Sequence, residues 1–167
     1  MVSELKCAVI GGGGGQGRSW LRRLRSWKTL LDYKFSIEAV CDINQSALNK
    51  RIEEFKCRGY SDYHEMFEKE KLDLVIIATP HYLHAPMTIA AAEHGVNVLC
   101  EKIMCINLKQ ADEMKAAVEK NKIKLAVGFQ HRFNPIFVAM RRAVQNGDLG
   151  ELFQLNLVYH WWRTEDY

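Results

Sequence analysis

The sequence contains no apolar run near the roughly 18 residues that a membrane-spanning helix requires. Its first residues, Met-Val-Ser-Glu-Leu-Lys, do not show the charged and then apolar layout of a secretory signal. It also contains no internal repeat and no low-complexity linker. We therefore expect neither a membrane partner nor export, and repeat architectures are excluded.

A strong excess of charge of either sign is also missing. Lys and Arg total 23 against 20 Asp and Glu, which gives a net charge of +3 and a pI near 8.6. Nucleic-acid-binding domains usually have a pI above about 9 and a clustered basic face. A nucleic-acid interpretation rests only on the basic residues of the first predicted helix, which lie mainly opposite its apolar residues and are typical of a solvated face. The charge balance favours a small anionic ligand and no nucleic-acid partner.

The cysteines do not form the even set that is typical of a disulfide framework, because there are five of them. Three lie in or next to apolar segments that are predicted strands, where a small buried thiol packs well. We expect reduced thiols in a cytoplasmic protein. The five are Cys7, Cys41, Cys57, Cys100 and Cys105.

Strand and helix patterns alternate along most of the chain, which indicates an α/β fold. The stretch Leu-Asp-Leu-Val-Ile-Ile-Ala is typical of a central parallel strand covered on both faces. We predict a Rossmann-type doubly wound parallel sheet. The predicted strands cover 5–10, 36–41, 57–60, 72–78, 96–100 and 123–129, and the predicted helices cover 18–31, 45–55, 87–94 and 108–121.

The last part of the chain has a different character. At 167 residues the chain has room for one domain and little more. After position 129 it becomes polar and is marked by Pro135, ahead of a helix predicted at 136–145 and an alternating strand predicted at 153–159. We therefore expect one domain over 1–130 and, over 131–167, the truncated start of an α+β domain.

A glycine run follows the first predicted strand and precedes the first helix. Glycines there let the backbone turn tightly and approach a pyrophosphate, whose negative charge the first N–H groups of the helix attract. The alternative is a flexible glycine-rich loop, against which the flanking strand and helix argue. The spacing G-x-G-x-x-G is met by Gly12, Gly14 and Gly17, with Gln16 inside the turn, and the spacing with one more residue by Gly11, Gly13 and Gly17.

Asp42 closes the second predicted strand. A carboxylate at this point accepts hydrogen bonds from the adenosine ribose hydroxyls and repels a 2′-phosphate, which favours NAD over NADP. Its distance from the glycines exceeds the usual figure of about 20 residues, which the long first helix explains. The alternative is an ordinary helix cap or loop acid. Arg18, beside Gly17, is a further candidate for a phosphate contact.

Three ordered motifs then resemble the Gfo/Idh/MocA family of NAD(P)-dependent sugar, inositol and related oxidoreductases. The likeness runs from about Lys6 to the end of the chain. It implies an NAD(P)-binding domain over 1–130, followed by the start of a substrate and oligomerisation domain, so the fragment itself is expected to be inactive and the full-length enzyme to be a homo-oligomer. The motifs are Ala78-Thr79-Pro80-His81-x-x-His84, Val98-Leu99-Cys100-Glu101-Lys102 and Gly128-Phe129-Gln130-His131-Arg132-Phe133-Asn134-Pro135.

The resemblance also implies roles for single residues. Lys102 matches the catalytic lysine beside nicotinamide and substrate, where its ammonium stabilises a developing oxyanion. Glu101 would hold the lysine or the nicotinamide ribose, with an ordinary surface ion pair as the alternative. The other implied cofactor contacts are Ala78, Thr79, Pro80, His81 and His84, and the candidate substrate contacts are His131, Arg132, Trp161 and Arg163.

Two departures from this pattern leave alternatives open. The family usually has proline after the lysine, where this chain has Ile103, so either a cis or a trans peptide bond is compatible with the sequence. His81 stands where the family often has asparagine. His81 and His84 come without a third ligand, so no metal site is predicted, and the preferred interpretation of His84 is a packed or capping histidine. We expect a dehydrogenase acting on a sugar, polyol or inositol-like alcohol, with a non-catalytic dinucleotide sensor as the rival hypothesis.

Overall fold

A six-stranded parallel sheet forms the centre of the chain in a computed structural model that describes residues 4–30, 34–162 and 164. The strand order is β3-β2-β1-β4-β5-β6, and each neighbouring pair is parallel. From the central strand β1 the chain continues through β2 to β3 at one edge of the sheet, and from β4 it continues through β5 to β6 at the other edge. The strands are β1 (Leu5–Ile10), β2 (Phe35–Cys41), β3 (Arg58–Tyr60), β4 (Leu74–Ile77), β5 (Asn97–Cys100) and β6 (Leu125–Val127).

Six helices connect or follow the strands, and side chains of the preceding residues cap several of them. Asn44 accepts a hydrogen bond from the Ala47 backbone at 3.0 Å, and Asn107 accepts one from Gln110 at 2.9 Å, as N-cap residues do. Two short 3₁₀ turns cover His81–Leu83 and Gln130–Phe133. The helices are α1 (Gly15–Leu30), α2 (Gln45–Phe55), α3 (Tyr63–Lys69), α4 (His84–Glu93), α5 (Leu108–Asn121) and α6 (Pro135–Gln145).

The core lies on both faces of the sheet, because successive residues of β1 point to opposite sides. Ala8 and Ile10 belong to one buried cluster, while Cys7 and Val9 belong to the other. The two clusters explain why the central strands are continuously apolar, as the sequence predicted for a sheet covered on both sides. The Rossmann-type sheet is confirmed.

Several boundaries differ from prediction. Helix α1 begins at Gly15 rather than 18, so its first turn is made from the glycine run, and its predicted end at Leu31 lies outside the described residues. Helix α3 was not predicted at all, because seven residues are too short to show a helical period. Its visible signal was Asp62, whose side chain accepts a hydrogen bond from the His64 backbone.

The chain divides into two compact units, Met1–Phe129 and Gln130–Tyr167. The second contains the 3₁₀ turn Gln130–Phe133 and α6, which begins after the cap Asn134. The strand predicted at 153–159 is wrong, because no residue of that segment joins a sheet ladder. Alternating apolar residues make a strand only where another strand supplies hydrogen-bond partners, and the described part of this unit has none.

Candidate dinucleotide-binding cleft

A cleft of about 380 Å³ lies at the carboxyl ends of β1, β2, β3 and β4. Strands β1 and β4 are neighbours, and the chain leaves them in opposite directions along the sheet, so the loops after them diverge. Such a switch point is where open α/β sheets bind ligands. The cleft is lined by Ile10, Gly11, Gly13, Gly14, Cys41, Asp42, Ile43, Asn44, Ala47, Ser61, Tyr63, Ala78, Thr79, Pro80, Tyr82, Leu83 and Met87.

The glycine turn forms one wall of the cleft and lies tightly against its neighbours. Gly11 has a φ of +79°, and a Cβ there would lie 2.5 Å from the Ala78 carbonyl oxygen. A Cβ on Gly17 would lie 2.1 Å from the Gly11 oxygen, so this glycine lets α1 pack against the turn. A Cβ on Gly14 would meet nothing closer than 3.6 Å. Gly11, Gly13 and Gly14 line the cleft, whereas Gly12 and Gly17 are buried beside it.

Asp42 connects the glycine turn to the loop after β2. Its Oδ2 accepts a hydrogen bond from the Gly13 backbone at 2.7 Å, and its Oδ1 accepts one from Asn44 at 2.9 Å. It is not the cap of α2, because Asn44 fills that position. The carboxylate therefore lines the cleft with a fixed orientation, and each oxygen keeps a further lone pair for a ligand.

The loop after β4 forms the opposite wall through Ala78, Thr79 and Pro80. Behind it, the fully buried His84 places Nε2 2.9 Å from the Thr79 carbonyl oxygen and Nδ1 2.6 Å from the Ile103 oxygen. The exposed His81 lies edge-on to it, with ring centroids 5.6 Å apart. His84 thus packs under the wall, and neither histidine ring lines the cleft itself.

Glu101 and Lys102 follow β5 and differ in exposure. Glu101 is 7% exposed, and its Oε1 accepts hydrogen bonds from Gln16 at 2.6 Å and Trp20 at 2.8 Å. Lys102 is exposed, and the peptide bond between Lys102 and Ile103 is cis. Of the two bond geometries that the sequence left open, the structure contains the cis form.

The segment from 5 to 129 matches the family model for the Gfo/Idh/MocA oxidoreductases, described as an oxidoreductase family with an NAD-binding Rossmann fold. The chain belongs to this family. The resemblance drawn from the three sequence motifs is confirmed.

Relatives of this Gfo/Idh/MocA chain include enzymes named for either nicotinamide cofactor. The scyllo-inositol 2-dehydrogenase (NAD(+)) of Bacillus subtilis is 32% identical over 156 residues, 90% of this chain and 43% of that protein. The D-xylose 1-dehydrogenase (NADP(+)) of Hypocrea jecorina is 30% identical over 131 residues, 74% of this chain and 33% of that protein.

A solved structure shows the same fold. The crystal structure of myo-inositol 2-dehydrogenase from Lactobacillus plantarum superposes with a TM-score of 0.75 at 26% identity, covering 89% of this chain and 43% of that one. The chain therefore spans less than half the length of each of these relatives.

Sequence reasoning missed part of the site of this Gfo/Idh/MocA chain. No sequence motif pointed to the apolar and aromatic residues that line the cleft. Burial raises the pKa of Cys41 to about 12, and the charges of Asp42 and Asp62 add to the effect, so this cleft-lining group stays a neutral thiol. The missed lining residues with large side chains are Ile43, Tyr63, Tyr82, Leu83 and Met87.

Arg18, a candidate phosphate contact, does not line the cleft and pairs with Glu54 of α2 at 3.4 Å. The candidate substrate residues His131 and Arg132 are exposed in the 3₁₀ turn of the second unit. Trp161 is exposed beside Tyr159, with ring centroids 5.7 Å apart, and Arg163 lies outside the described residues.

Two searches of the described residues were negative. Over 4–30, 34–162 and 164, no three His, Cys, Asp or Glu residues are grouped so that they could hold a metal ion. No helix in the same part of the chain has the length and apolar character needed to cross a membrane.

Proposed function

We propose that this chain is the nucleotide-binding part of an NAD(P)-dependent dehydrogenase that acts on a sugar, polyol or inositol-like alcohol. The observation that carries the proposal is the cleft at the switch point, with the glycine turn on one side and Asp42 beside it. A Cβ on Gly11 would meet the Ala78 carbonyl oxygen and one on Gly13 would meet the Asp42 carboxylate, so glycines let the turn fold closely against the two loops that enclose the cleft.

The residues present fit a dinucleotide. The first amide groups of α1 have no acceptor within the helix and carry the positive end of its dipole, so they suit a pyrophosphate. The apolar lining around Ile43 and Tyr82 suits a flat base, and Asp42 suits the adenosine ribose. Once bound, the nicotinamide supplies the hydride acceptor or donor.

We further propose a preference for NAD. A 2′-phosphate would bring its negative charge to the Asp42 carboxylate, whereas a free 2′-hydroxyl can donate to it. Calorimetry with NADH, NADPH and a single-stranded RNA tests both points. We expect NADH to bind, NADPH to bind more weakly and RNA to give no heat. Failure of both nucleotides would overturn the assignment, and binding of RNA alone would favour a nucleic-acid module.

Lys102 is the proposed catalytic residue. Its ammonium would orient the substrate hydroxyl and stabilise the oxyanion that develops as hydride leaves the carbinol carbon. We assign it orientation and electrostatic stabilisation, and not proton removal. In a full-length enzyme assayed against a polyol panel, Lys102→Met should abolish turnover and leave nucleotide affinity nearly intact. Unchanged turnover would remove Lys102 from the mechanism.

The second candidate is a non-catalytic dinucleotide sensor, which is favoured by Ile103 where the family usually has proline. The same polyol panel separates the two, since a sensor binds NADH without reducing or oxidising any alcohol. We propose that the substrate-binding and oligomer-forming surfaces belong to the second domain. We also propose that the cysteines are reduced in a cytoplasmic protein, and that this chain by itself does not catalyse the reaction.

A further inference from the structure

The buried carboxylate of Glu101 connects two parts of the first unit that are far apart in sequence. Gln16 and Trp20 lie in the first turns of α1, and both donate to Glu101 Oε1. Glu101 lies just after β5, 81 residues beyond Trp20. The start of α1 is the proposed pyrophosphate site, so these hydrogen bonds join that site to the end of β5.

The other carboxylate oxygen holds the backbone of the catalytic lysine. Glu101 Oε2 accepts a hydrogen bond from the Lys102 backbone N–H at 3.2 Å. On its far side a Cβ on Gly128 would lie 3.4 Å from Oε2, so the end of β6 confines the carboxylate. The two oxygens of Glu101 thus accept from two side chains of α1 and from one backbone N–H, so this carboxylate ties the start of α1 to Lys102.

Trp20 is the more rigid of the two donors on α1. Its ring packs edge-on against Trp27 at a centroid distance of 6.1 Å, and the Arg23 guanidinium lies 5.0 Å from it. Gln16 is exposed, so holding its long side chain costs more rotamer freedom. Because packing already fixes the Trp20 indole, its N–H can hold the Glu101 carboxylate without a further loss of rotamer freedom.

We propose that Trp20 is a positioning residue, which through Glu101 fixes the backbone of Lys102 relative to the start of α1. The function of this coupling rests on the proposed dehydrogenase activity: the residue that stabilises the oxyanion is held in register with the helix that receives the pyrophosphate. The coupling itself exists in the free chain and can be tested there.

The test is the ¹H–¹⁵N NMR spectrum of the chain, in which the Lys102 amide and the Trp20 indole N–H give separate signals. Trp20→Phe keeps an aromatic ring and removes the donor. We expect the Lys102 amide signal to shift or broaden, and Trp20→His, which restores a ring N–H, to return it toward its wild-type position. Trp27→Phe is the matched control, because Trp27 contacts the same ring and the described structure gives it no bond to Glu101.

Several results would overturn the proposed role of Trp20. An unchanged Lys102 amide in Trp20→Phe, or an equal change in Trp27→Phe, overturns the proposal. If Trp20→Phe does not fold, Glu101→Gln takes its place: the expected result is movement of both the Trp20 indole signal and the Lys102 amide signal, and movement of only one overturns the coupling.

NADH calorimetry on Trp20→Phe should give an affinity within about threefold of wild type, since the helix amides remain. No NADH binding by the wild type would reject the proposed function and leave the coupling result standing.

Discussion

At the scale of single residues, His84 shows how a buried polar side chain stabilises the walls of the cleft. Both ring nitrogens lie within hydrogen-bond distance of backbone carbonyls, those of Thr79 and Ile103. Carbonyl oxygens only accept, so the ring nitrogen that carries the proton donates to the carbonyl that faces it. Because Ile103 follows Lys102, the histidine ties the loop after β4 to the loop that contains the proposed catalytic lysine.

Replacing His84 with Phe should destabilise the chain by about 1–3 kcal/mol, because a part-buried backbone carbonyl loses the hydrogen bond that the imidazole donates. Urea unfolding followed by circular dichroism measures the loss. His81→Phe is the control, since this exposed neighbour should change stability by less than about 0.5 kcal/mol. Equal effects in the two variants would show that the carbonyl contacts of His84 contribute nothing.

Asp42 gives the second prediction at this scale. Asp42→Asn keeps an acceptor oxygen for the Gly13 or Asn44 backbone and removes the negative charge. The ratio of NADPH to NADH affinity should rise by about tenfold, which corresponds to about 1.4 kcal/mol. Asp73→Asn is the control, because Asp73 accepts from Lys6 at the other end of β1. A ratio that stays constant in Asp42→Asn would mean that its charge does not select the cofactor.

At the scale of elements, α3 depends on its cap. Its seven residues are too few for stable helix formation without outside support. Asp62 accepts a hydrogen bond from the His64 backbone at 2.9 Å, and Tyr63, the first helical residue, lines the cleft. Asp62→Ala should lower the free energy of unfolding by about 1 kcal/mol, whereas Asp62→Asn, which also caps well, should stay near wild type. A loss of the same size in both variants would assign the effect to charge instead of capping.

Some helices and strands could be predicted from the sequence, and others could not. Strand β4 and helices α2 and α5 were predictable because the apolar pattern of each lies within one short stretch of sequence. The segment at 153–159 has an equally local pattern, but a strand also needs a partner, which periodicity does not supply.

The candidate site also has a part that local sequence predicts and a part that it does not. The glycine turn and Asp42 follow directly from the ends of strands. The bond between Trp20 and Glu101 joins residues 81 apart, and the contact between His84 and Ile103 joins residues 19 apart. Only the folded sheet brings such pairs together, so no local motif predicts them.

At the scale of the whole molecule, the sheet buries four thiols in its two cores. Burial raises the pKa of Cys7, Cys41 and Cys100 from 9.0 to about 12, and that of Cys57 to about 11. The folded state thus keeps these protons at a pH where the unfolded chain releases them. The stabilising contribution is complete below the unfolded value of 9.0 and is lost progressively as the pH rises toward about 12.

Stability should therefore fall steeply between about pH 9 and about pH 11, by about 1.4 kcal/mol per pH unit for each fully protected thiol. Urea unfolding across this range gives the slope. Cys7→Ala removes one buried thiol and should make the slope of the unfolding free energy against pH shallower by about 1.4 kcal/mol per pH unit. The loss of packing around the sulfur lowers stability equally at every pH and does not change this slope. Cys105→Ala, at a partly exposed position, should leave the slope unchanged. The tyrosine and lysine side chains that also titrate here are common to all three proteins, so the difference between slopes isolates the thiol. A Cys7→Ala slope equal to that of wild type would contradict the protection of Cys7 by the core.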